Sequence, residues 1–150
     1  MFRLAHYTET KGKAAEVTAR LALMLNGWRG VSKPETDESY DIVAQDPLSG
    51  KWCTFQVKSI HVRRDRGGDL VVYARKKNGE PYAPSDVDYI VGVLGAEEAG
   101  GVPRVWMFEN RGCGEYWASE ARASERWIEM PLIISDLVYG IYGTEVVENA

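Results

Sequence analysis

The 150-residue chain has little of what several protein classes require. It has two cysteines, Cys53 and Cys113, which are too few for a disulfide framework. Together with only two histidines, His6 and His61, they do not make a convincing zinc site. No segment approaches the roughly 18 consecutive apolar residues of a membrane helix, and the N-terminus lacks the basic and apolar regions of a secretory signal. These absences predict a cytoplasmic protein with no membrane partner.

Internal repeats and low-complexity tracts are also missing, and a chain of this length suits a single domain. The net charge of −4 argues against nucleic-acid binding, but the charge is unevenly distributed. Between Lys51 and Lys77 there are eight cations and two acids, a net charge of +6, which leaves −10 on the remaining residues. Such a basic segment is compatible with contact to a phosphate backbone and equally with a solvated, arginine-rich loop.

The hydrophobic pattern predicts a helix followed by strands. Val17, Leu21 and Met24 recur at helical spacing, and a helix over about residues 11–26 is expected. Strands are predicted at residues 40–45, 51–60, 70–74, 87–94 and 104–108. Beyond residue 112 the pattern is weak: residues 117–127 are compatible with a helix, and residues 132–142 are apolar but ambiguous. The order predicts an α/β or α+β domain around one sheet.

The turn between the first two predicted strands determines which residues face each other. If its loop is residues 47–50, Asp46 pairs with Lys51, and Asp41 then faces Gln56. Facing residues of an antiparallel pair have Cβ atoms about 4.5–5.5 Å apart, close enough to bind one ion. Lys58 lies on the same face of its strand, two residues after Gln56. A slip of one residue would move Asp41 to the opposite face.

A carboxylate and an amide oxygen beside a lysine suit magnesium chemistry. Mg²⁺ prefers oxygen ligands, and a bound ion acidifies a water and shields the charge of a phosphate. Lys58 could orient the attacking water or stabilise charge on the phosphorus oxygens. Glu16 on the first helix could supply a second carboxylate, although its residue type and position equally suit a surface pair with Arg20 at i,i+4.

Four segments together resemble the PD-(D/E)xK nuclease superfamily. They are Lys11-Gly12 with Glu16, Asn26-Gly27-Trp28, Tyr40-Asp41-Ile42-Val43 and Phe55-Gln56-Val57-Lys58-Ser59. The order of helix glutamate, strand aspartate and acid-x-lysine is that of archaeal Holliday junction resolvases. The glutamine in place of the acid is more similar to a branch of group I intron homing endonucleases, as are Asn78-Gly79-Glu80-Pro81-Tyr82 and Val87-Asp88-Tyr89-Ile90. The resemblance covers about residues 11–108.

The resemblance implies a fold and a set of roles. The expected fold is α/β with a restriction-endonuclease-like core, a mixed β-sheet flanked by helices in the order αβββαβ. Asp41 would be the central metal ligand, Gln56 a carbonyl ligand, and Glu16 a further ligand, directly or through water. Lys58 would be the catalytic lysine. The cofactor would be Mg²⁺, with Mn²⁺ able to replace it.

The implied activity is hydrolysis of phosphodiester bonds in double-stranded or branched DNA, by a homing-type or junction-resolving endonuclease. We expect a homodimer or higher homo-oligomer in a prokaryotic or phage setting, because symmetric cleavage suits a twofold assembly. The whole chain is predicted to be one domain, with residues 112–150 as an extension for oligomerisation or DNA contact. The predicted DNA-binding residues are Ser59, His61, Arg63, Arg64, Arg66, Lys76 and Lys77.

Two departures from the superfamily pattern keep other functions open. Gln56 is neutral and contributes less to cation binding than an acid, and Tyr40 stands where the motif has proline. The alternative is a catalytically degenerate nuclease fold that binds nucleic acid or a protein partner. A weaker third option is an acidic inhibitor or scaffold that carries the same hairpin.

Overall fold

The computed structural model describes residues 2–135, which form helices and strands in mixed order. The α-helices are α1 (Tyr7–Leu25), α2 (Ala96–Ala99) and α3 (Ala123–Arg126). The strands are β1 (Arg29–Ser32), β2 (Ile42–Gln45), β3 (Trp52–Ser59), β4 (His61–Arg63), β5 (Asp69–Tyr73), β6 (Tyr89–Leu94), β7 (Arg104–Glu109), β8 (Glu115–Ala118) and β9 (Ile128–Glu129). Short 3-10 turns cover Arg64–Arg66 and Glu120–Arg122.

The strands form two sheets. The larger has the order β1-β2-β3-β6-β7-β9, in which β3 and β6 are parallel and the other neighbours antiparallel. The smaller has the order β4-β5-β8 and is antiparallel throughout. The predicted α/β class with a mixed sheet is therefore confirmed, but the prediction of one sheet is wrong, because β4, β5 and β8 form a second sheet.

The element order nevertheless differs from αβββαβ. Within residues 2–135 no helix separates β5 from β6; the short helix α2 follows β6 instead. The connection holds a hairpin closed by a bridge between Arg75 and Pro81. Pro81 and Pro84 explain the absence of a helix, because proline removes a backbone donor and clashes with the preceding helical turn.

The predicted register between β2 and β3 is confirmed. Ile42 lies opposite Phe55 and Gln45 opposite Trp52, as a loop at residues 47–50 requires. Asp46 closes the turn, because its N–H donates to the carbonyl of Lys51 at 2.8 Å. The turn ends at Gly50, whose φ of +75° is a left-handed conformation that favours glycine.

Helix α1 packs on one face of the large sheet through small side chains. Its buried residues are Ala15, Ala19, Ala22 and Leu23. The larger apolar residues that predict the helix lie elsewhere: Val17 is 55% exposed and Leu21 43% exposed. The predicted helix is therefore present, but alanines rather than the bulky residues face the sheet, which allows a close approach of helix and strands.

The small sheet covers the opposite face of the large one. Its inward residues, among them Leu70 and Val72, join a core cluster with Trp106. At Gly92 the sheets are so close that a Cβ atom would lie 3.0 Å from Ile60 Cγ1 and 3.1 Å from Val72 Cγ2. Ile60 itself joins β3 of the large sheet to β4 of the small one.

The C-terminal part adopts more strand than the sequence suggests. Residues 115–118 form β8, paired with β5, so the start of the predicted helix at residues 117–127 is wrong. A 3-10 turn and α3 follow it, in partial agreement. Most of the ambiguous segment 132–142 lies outside the described residues, and the role predicted for residues 112–150 stays a prediction. No helix within residues 2–135 is long and apolar enough to cross a bilayer.

Candidate active site

Asp41 stands just before β2 and is held against the middle of β3 by two backbone contacts. Its N–H donates to the carbonyl of Phe55 at 2.8 Å. Its carboxylate oxygen Oδ2 accepts a hydrogen bond from the N–H of Val57 at 2.9 Å. Continuing the observed register by one residue puts Gln56 opposite Asp41. The carboxylate therefore has a fixed position beside β3.

Glu16 brings a second carboxyl group from α1. Its side chain is 19% exposed, and its Oε2 atom is buried with no hydrogen-bond partner among residues 2–135. Lys13 Nζ lies 3.5 Å from that oxygen, an ion pair from the solvent side that does not meet hydrogen-bond geometry. The alternative pair with Arg20 is not formed, since Arg20 Nε is itself buried and has no hydrogen-bond partner in this part of the chain.

Glu16 lies close enough to Asp41 to affect the pKa of that aspartate. Burial is the main cause that raises the pKa of Asp41, and the negative charge of Glu16 and a hydrogen bond with Glu16 raise it further. The N–H of Val57 and the positive charge of Lys58 act in the opposite direction and lower this pKa. Burial is the main cause of the net rise, so the ionised form of Asp41 is less favourable here than in water.

Lys58 extends along the same face of β3 as Gln56, and both side chains are half-buried. Its Nζ donates to the carbonyl of Arg75 at 3.3 Å and lies 5.2 Å from the centroid of the Tyr82 ring. Its effect on the pKa of Asp41 puts the ammonium within electrostatic reach of that carboxyl group. The structure thus brings Glu16, Asp41 and Lys58 into one site, with Gln56 in register beside them.

The donor set is small for a metal centre. Within residues 2–135 no three His, Cys, Asp or Glu side chains gather around a point. The site offers two carboxyl groups and, from Gln56, an amide. This set fits Mg²⁺, which commonly takes one or two carboxylates and completes its shell with water and phosphate oxygens. The observation that favours a cation here is the buried Oε2 of Glu16, which within residues 2–135 accepts no hydrogen bond and has its ion pair with Lys13 at 3.5 Å.

Most of the predicted DNA-binding cations are ion-paired. Arg63 pairs with Asp65 at 2.6 Å and holds the pKa of Asp65 at about 2 through its hydrogen bonds. The other pairs are Arg64–Glu98 at 3.3 Å, Arg66–Glu115 at 3.0 Å and Lys76–Asp86 at 2.7 Å. The basic segment therefore has less free positive charge than its sequence suggests.

The remaining three predicted DNA-binding residues differ in surroundings. Ser59 lines a cleft of about 470 Å³ between α1 and the ends of β3 and β6, together with Lys11. Burial lowers the pKa of His61, and the charge of Lys11 lowers it further, so His61 is neutral near pH 7. Lys77 is exposed near the tip of the Arg75–Pro81 hairpin.

Sequence reasoning missed the two groups that contact the Lys58 ammonium. The carbonyl of Arg75 is a backbone group, and every residue has one, so the residue type gives no signal of this contact. Tyr82 belongs to the segment Asn78–Tyr82 that contributed to the family resemblance, which was the available signal, but its contact with Lys58 depends on the tertiary fold.

The fold is similar to that of a solved homing endonuclease. The bacterial homing endonuclease I-Ssp6803I superposes with a TM-score of 0.57 over 77% of this chain and 80% of that chain, at 28% sequence identity. No protein-family model and no curated protein matches the sequence. This likeness confirms the fold class and supports a nuclease-like fold. Similarity to PD-(D/E)xK enzymes and to junction resolvases stays a prediction.

Proposed function

We propose that this protein is a Mg²⁺-dependent DNA endonuclease of the PD-(D/E)xK type, either homing-type or junction-resolving. One observation carries the proposal: a fixed aspartate with a raised pKa lies beside a buried glutamate oxygen that accepts no hydrogen bond within residues 2–135, with a lysine alongside. The likeness to a bacterial homing endonuclease supports the same reading.

Asp41, Glu16 and Gln56 are the residues that would hold Mg²⁺, or Mn²⁺ in its place. A cation would relieve the repulsion between the two carboxyl groups and give Glu16 Oε2 a closer partner than the Lys13 ammonium at 3.5 Å. When bound, the ion supplies an acidified water and neutralises charge on the phosphate. Gln56 adds oxygen without charge, so we expect weaker cation binding than an acid at this position would give.

The protein's own groups would orient the reacting atoms and stabilise the charge that develops on them. The two backbone hydrogen bonds of Asp41 hold its carboxylate in one orientation. The Lys58 ammonium can orient the attacking water or stabilise the charge that develops on the phosphorus oxygens. Charged groups that are already in position stabilise a transition state most, because no energy is spent on moving them during the reaction.

The ion-paired cations remain usable for DNA binding. Exposed ion pairs contribute only about 0.2–1 kcal/mol, so a phosphate can replace the carboxylate at low cost. Arg63, Arg64, Arg66 and Lys76 would exchange partners in this way, while Lys77 needs no exchange. Ser59 and the neutral His61 would act as hydrogen-bond donors. Cleavage of both strands would follow from a twofold homodimer.

The direct test is nicking of supercoiled and branched DNA in the presence and absence of Mg²⁺. We expect Asp41→Ala and Lys58→Ala to reduce nicking at least about 100-fold, as loss of a principal electrostatic group does. Gln45→Ala, in the same hairpin but at its far end, is the matched control and should retain activity. Unchanged nicking in both site variants would exclude this mechanism.

A second candidate function is a degenerate nuclease fold that binds nucleic acid or a protein. The neutral Gln56 and the absence of a third acid near Asp41 within residues 2–135 favour it. Titration of the melting temperature with Mg²⁺ and Mn²⁺ separates the two candidates. An active site should be stabilised by either ion, with the effect abolished in Asp41→Ala, whereas a degenerate site should show no response.

A further inference from the structure

We propose that Tyr82 is a positioning residue for Lys58, and that its ring and the carbonyl of Arg75 together hold the Lys58 ammonium for the reaction. We call these two groups the lysine clamp. The inference rests on the proposed nuclease function and adds to it a residue outside the acid-amide-lysine set.

The contacts place the ammonium between a ring and a carbonyl. Lys58 Nζ is 5.2 Å from the Tyr82 ring centroid, within the distance of about 6 Å at which a cation is attracted to an aromatic face. On the protein side it also donates to the carbonyl of Arg75 at 3.3 Å. Tyr82 is only 8% exposed and belongs to a core cluster with Ile90 and Phe108, so the ring is held firmly.

Both halves of the clamp belong to one short structural unit. Arg75 and Pro81 are bridged, and Tyr82 follows directly. The N–H of Lys76 donates to the carbonyl of Glu80 at 2.8 Å, and the Arg75 guanidinium donates to the carbonyl of Gly79 at 2.8 Å. The hairpin therefore fixes the carbonyl and the ring relative to each other.

The clamp consists of neutral groups, whereas the neighbouring Lys76 is held by a charged one. Lys76 Nζ lies 6.0 Å from the same ring but forms an ion pair with Asp86 at 2.7 Å. For Lys58, no ion pair within 4.0 Å is found in residues 2–135, and its close partners are a π face and a carbonyl. These groups orient the ammonium without cancelling its charge, which stays available for a phosphate.

Steady-state nicking of two Tyr82 variants tests the clamp. Tyr82→Phe keeps the ring and should retain kcat within about twofold, whereas Tyr82→Leu should lower kcat about tenfold with KM changed less than twofold. Phe108→Leu is the matched control, since it removes a ring from the same core without a contact to Lys58. It should lower the melting temperature but not kcat. Equal kcat losses in Tyr82→Leu and Phe108→Leu would overturn the proposal.

A measurement that needs no activity separates the clamp from the nuclease function. In protein with ¹³C-methylated lysines, the signal missing from Lys58→Arg belongs to Lys58. We expect a ring-current shift upfield that persists in Tyr82→Phe and disappears in Tyr82→Leu. An unshifted signal in the wild type would overturn the clamp. A correctly shifted signal in a protein that never nicks DNA would instead overturn the nuclease function, and with it the catalytic role of Tyr82.

Discussion

The candidate site and the basic segment that follows it differ in how their charges are compensated. In the site, Glu16 and Asp41 lie close together, one oxygen lacks a hydrogen-bond partner, and the pKa of Asp41 is raised. In the segment around Arg63–Lys77 nearly the reverse holds, because four of the five predicted contact cations already pair with a carboxylate.

This difference in charge compensation indicates which of the two regions would gain more free energy by binding a ligand of opposite charge. A buried carboxyl pair whose charges are only partly compensated costs stability, and folding retains such a cost most readily where a ligand removes it. A compensated surface pair costs little and contributes little. The first pattern is typical of a functional centre and the second of a solvated surface, although both bring together charged residues that are mostly distant in the sequence.

The first prediction adds negative charge to the site and has the largest expected effect on cation binding. Gln56→Glu would place a third carboxylate opposite Asp41, and we expect it to tighten Mg²⁺ binding about tenfold, or about 1.4 kcal/mol. Calorimetric titration with Mg²⁺ measures this. Gln45→Glu adds the same charge to the far end of the hairpin and should leave the affinity unchanged. Equal effects of the two variants would show that net charge, not the site, determines cation binding.

The second prediction removes charge from the site and follows stability without metal. Asp41→Asn should raise the free energy of unfolding at pH 7 by about 1 kcal/mol, or the melting temperature by about 2–4 °C, because an uncompensated carboxylate is removed. Asp37→Asn, in an exposed loop, is the control and should change neither.

The pH dependence of that gain follows from the sign of the pKa shift. Because the folded-state pKa of Asp41 lies above its ordinary value of 3.8, the folded protein favours the protonated acid. The resulting stabilisation is complete below pH 3.8 and is lost as pH rises through the folded-state pKa. The advantage of Asp41→Asn should therefore be present at pH 7 and vanish near pH 3. A gain that is constant with pH would contradict the raised pKa.

The sequence predicts the hairpin register well, because register depends on local turn chemistry. The four loop residues at 47–50 were enough to place Asp41 opposite Gln56. It predicts the packing of α1 poorly: large apolar residues indicate a helix, but the distance to the sheet decides which face is buried, and here that face holds three alanines and Leu23. The sequence does not predict β1 or the small sheet. The small sheet escapes prediction because the pairing of β5 with β8 joins residues more than 40 positions apart.

The compensation of the basic residues could not have been predicted either. Arg64 pairs with Glu98 and Arg66 with Glu115, and both acids lie far away in sequence. A count of charges within the basic segment includes these arginines but not the distant acids that pair with them. For the candidate site the opposite holds: the order of Glu16, Asp41 and Lys58 along the chain, on which the predicted family resemblance rests, is visible in the sequence itself.

The smallest expected effects test the basic segment itself. Lys77→Ala should weaken DNA binding about two- to threefold and lower the slope of affinity against salt by about one, because one phosphate contact is lost. Glu115→Gln should act in the opposite direction, since it frees Arg66 from its ion pair. Fluorescence anisotropy at several salt concentrations measures both. If neither variant changes affinity, DNA does not contact this segment.

The passage of the chain through Ile60 ties the geometry of the site to the angle between the two sheets. Lys58 is the penultimate residue of β3 in one sheet, and His61 begins β4 in the other, so only Ser59 and Ile60 separate them. Any tilt of the small sheet would pull directly on the strand that carries the lysine. The contact at Gly92 is too close for a side chain, because Ile60 and Val72 already occupy the space there. Gly92 lies opposite Lys58 in the parallel pairing of β3 and β6, so a side chain at this position would push the two sheets apart beside the lysine.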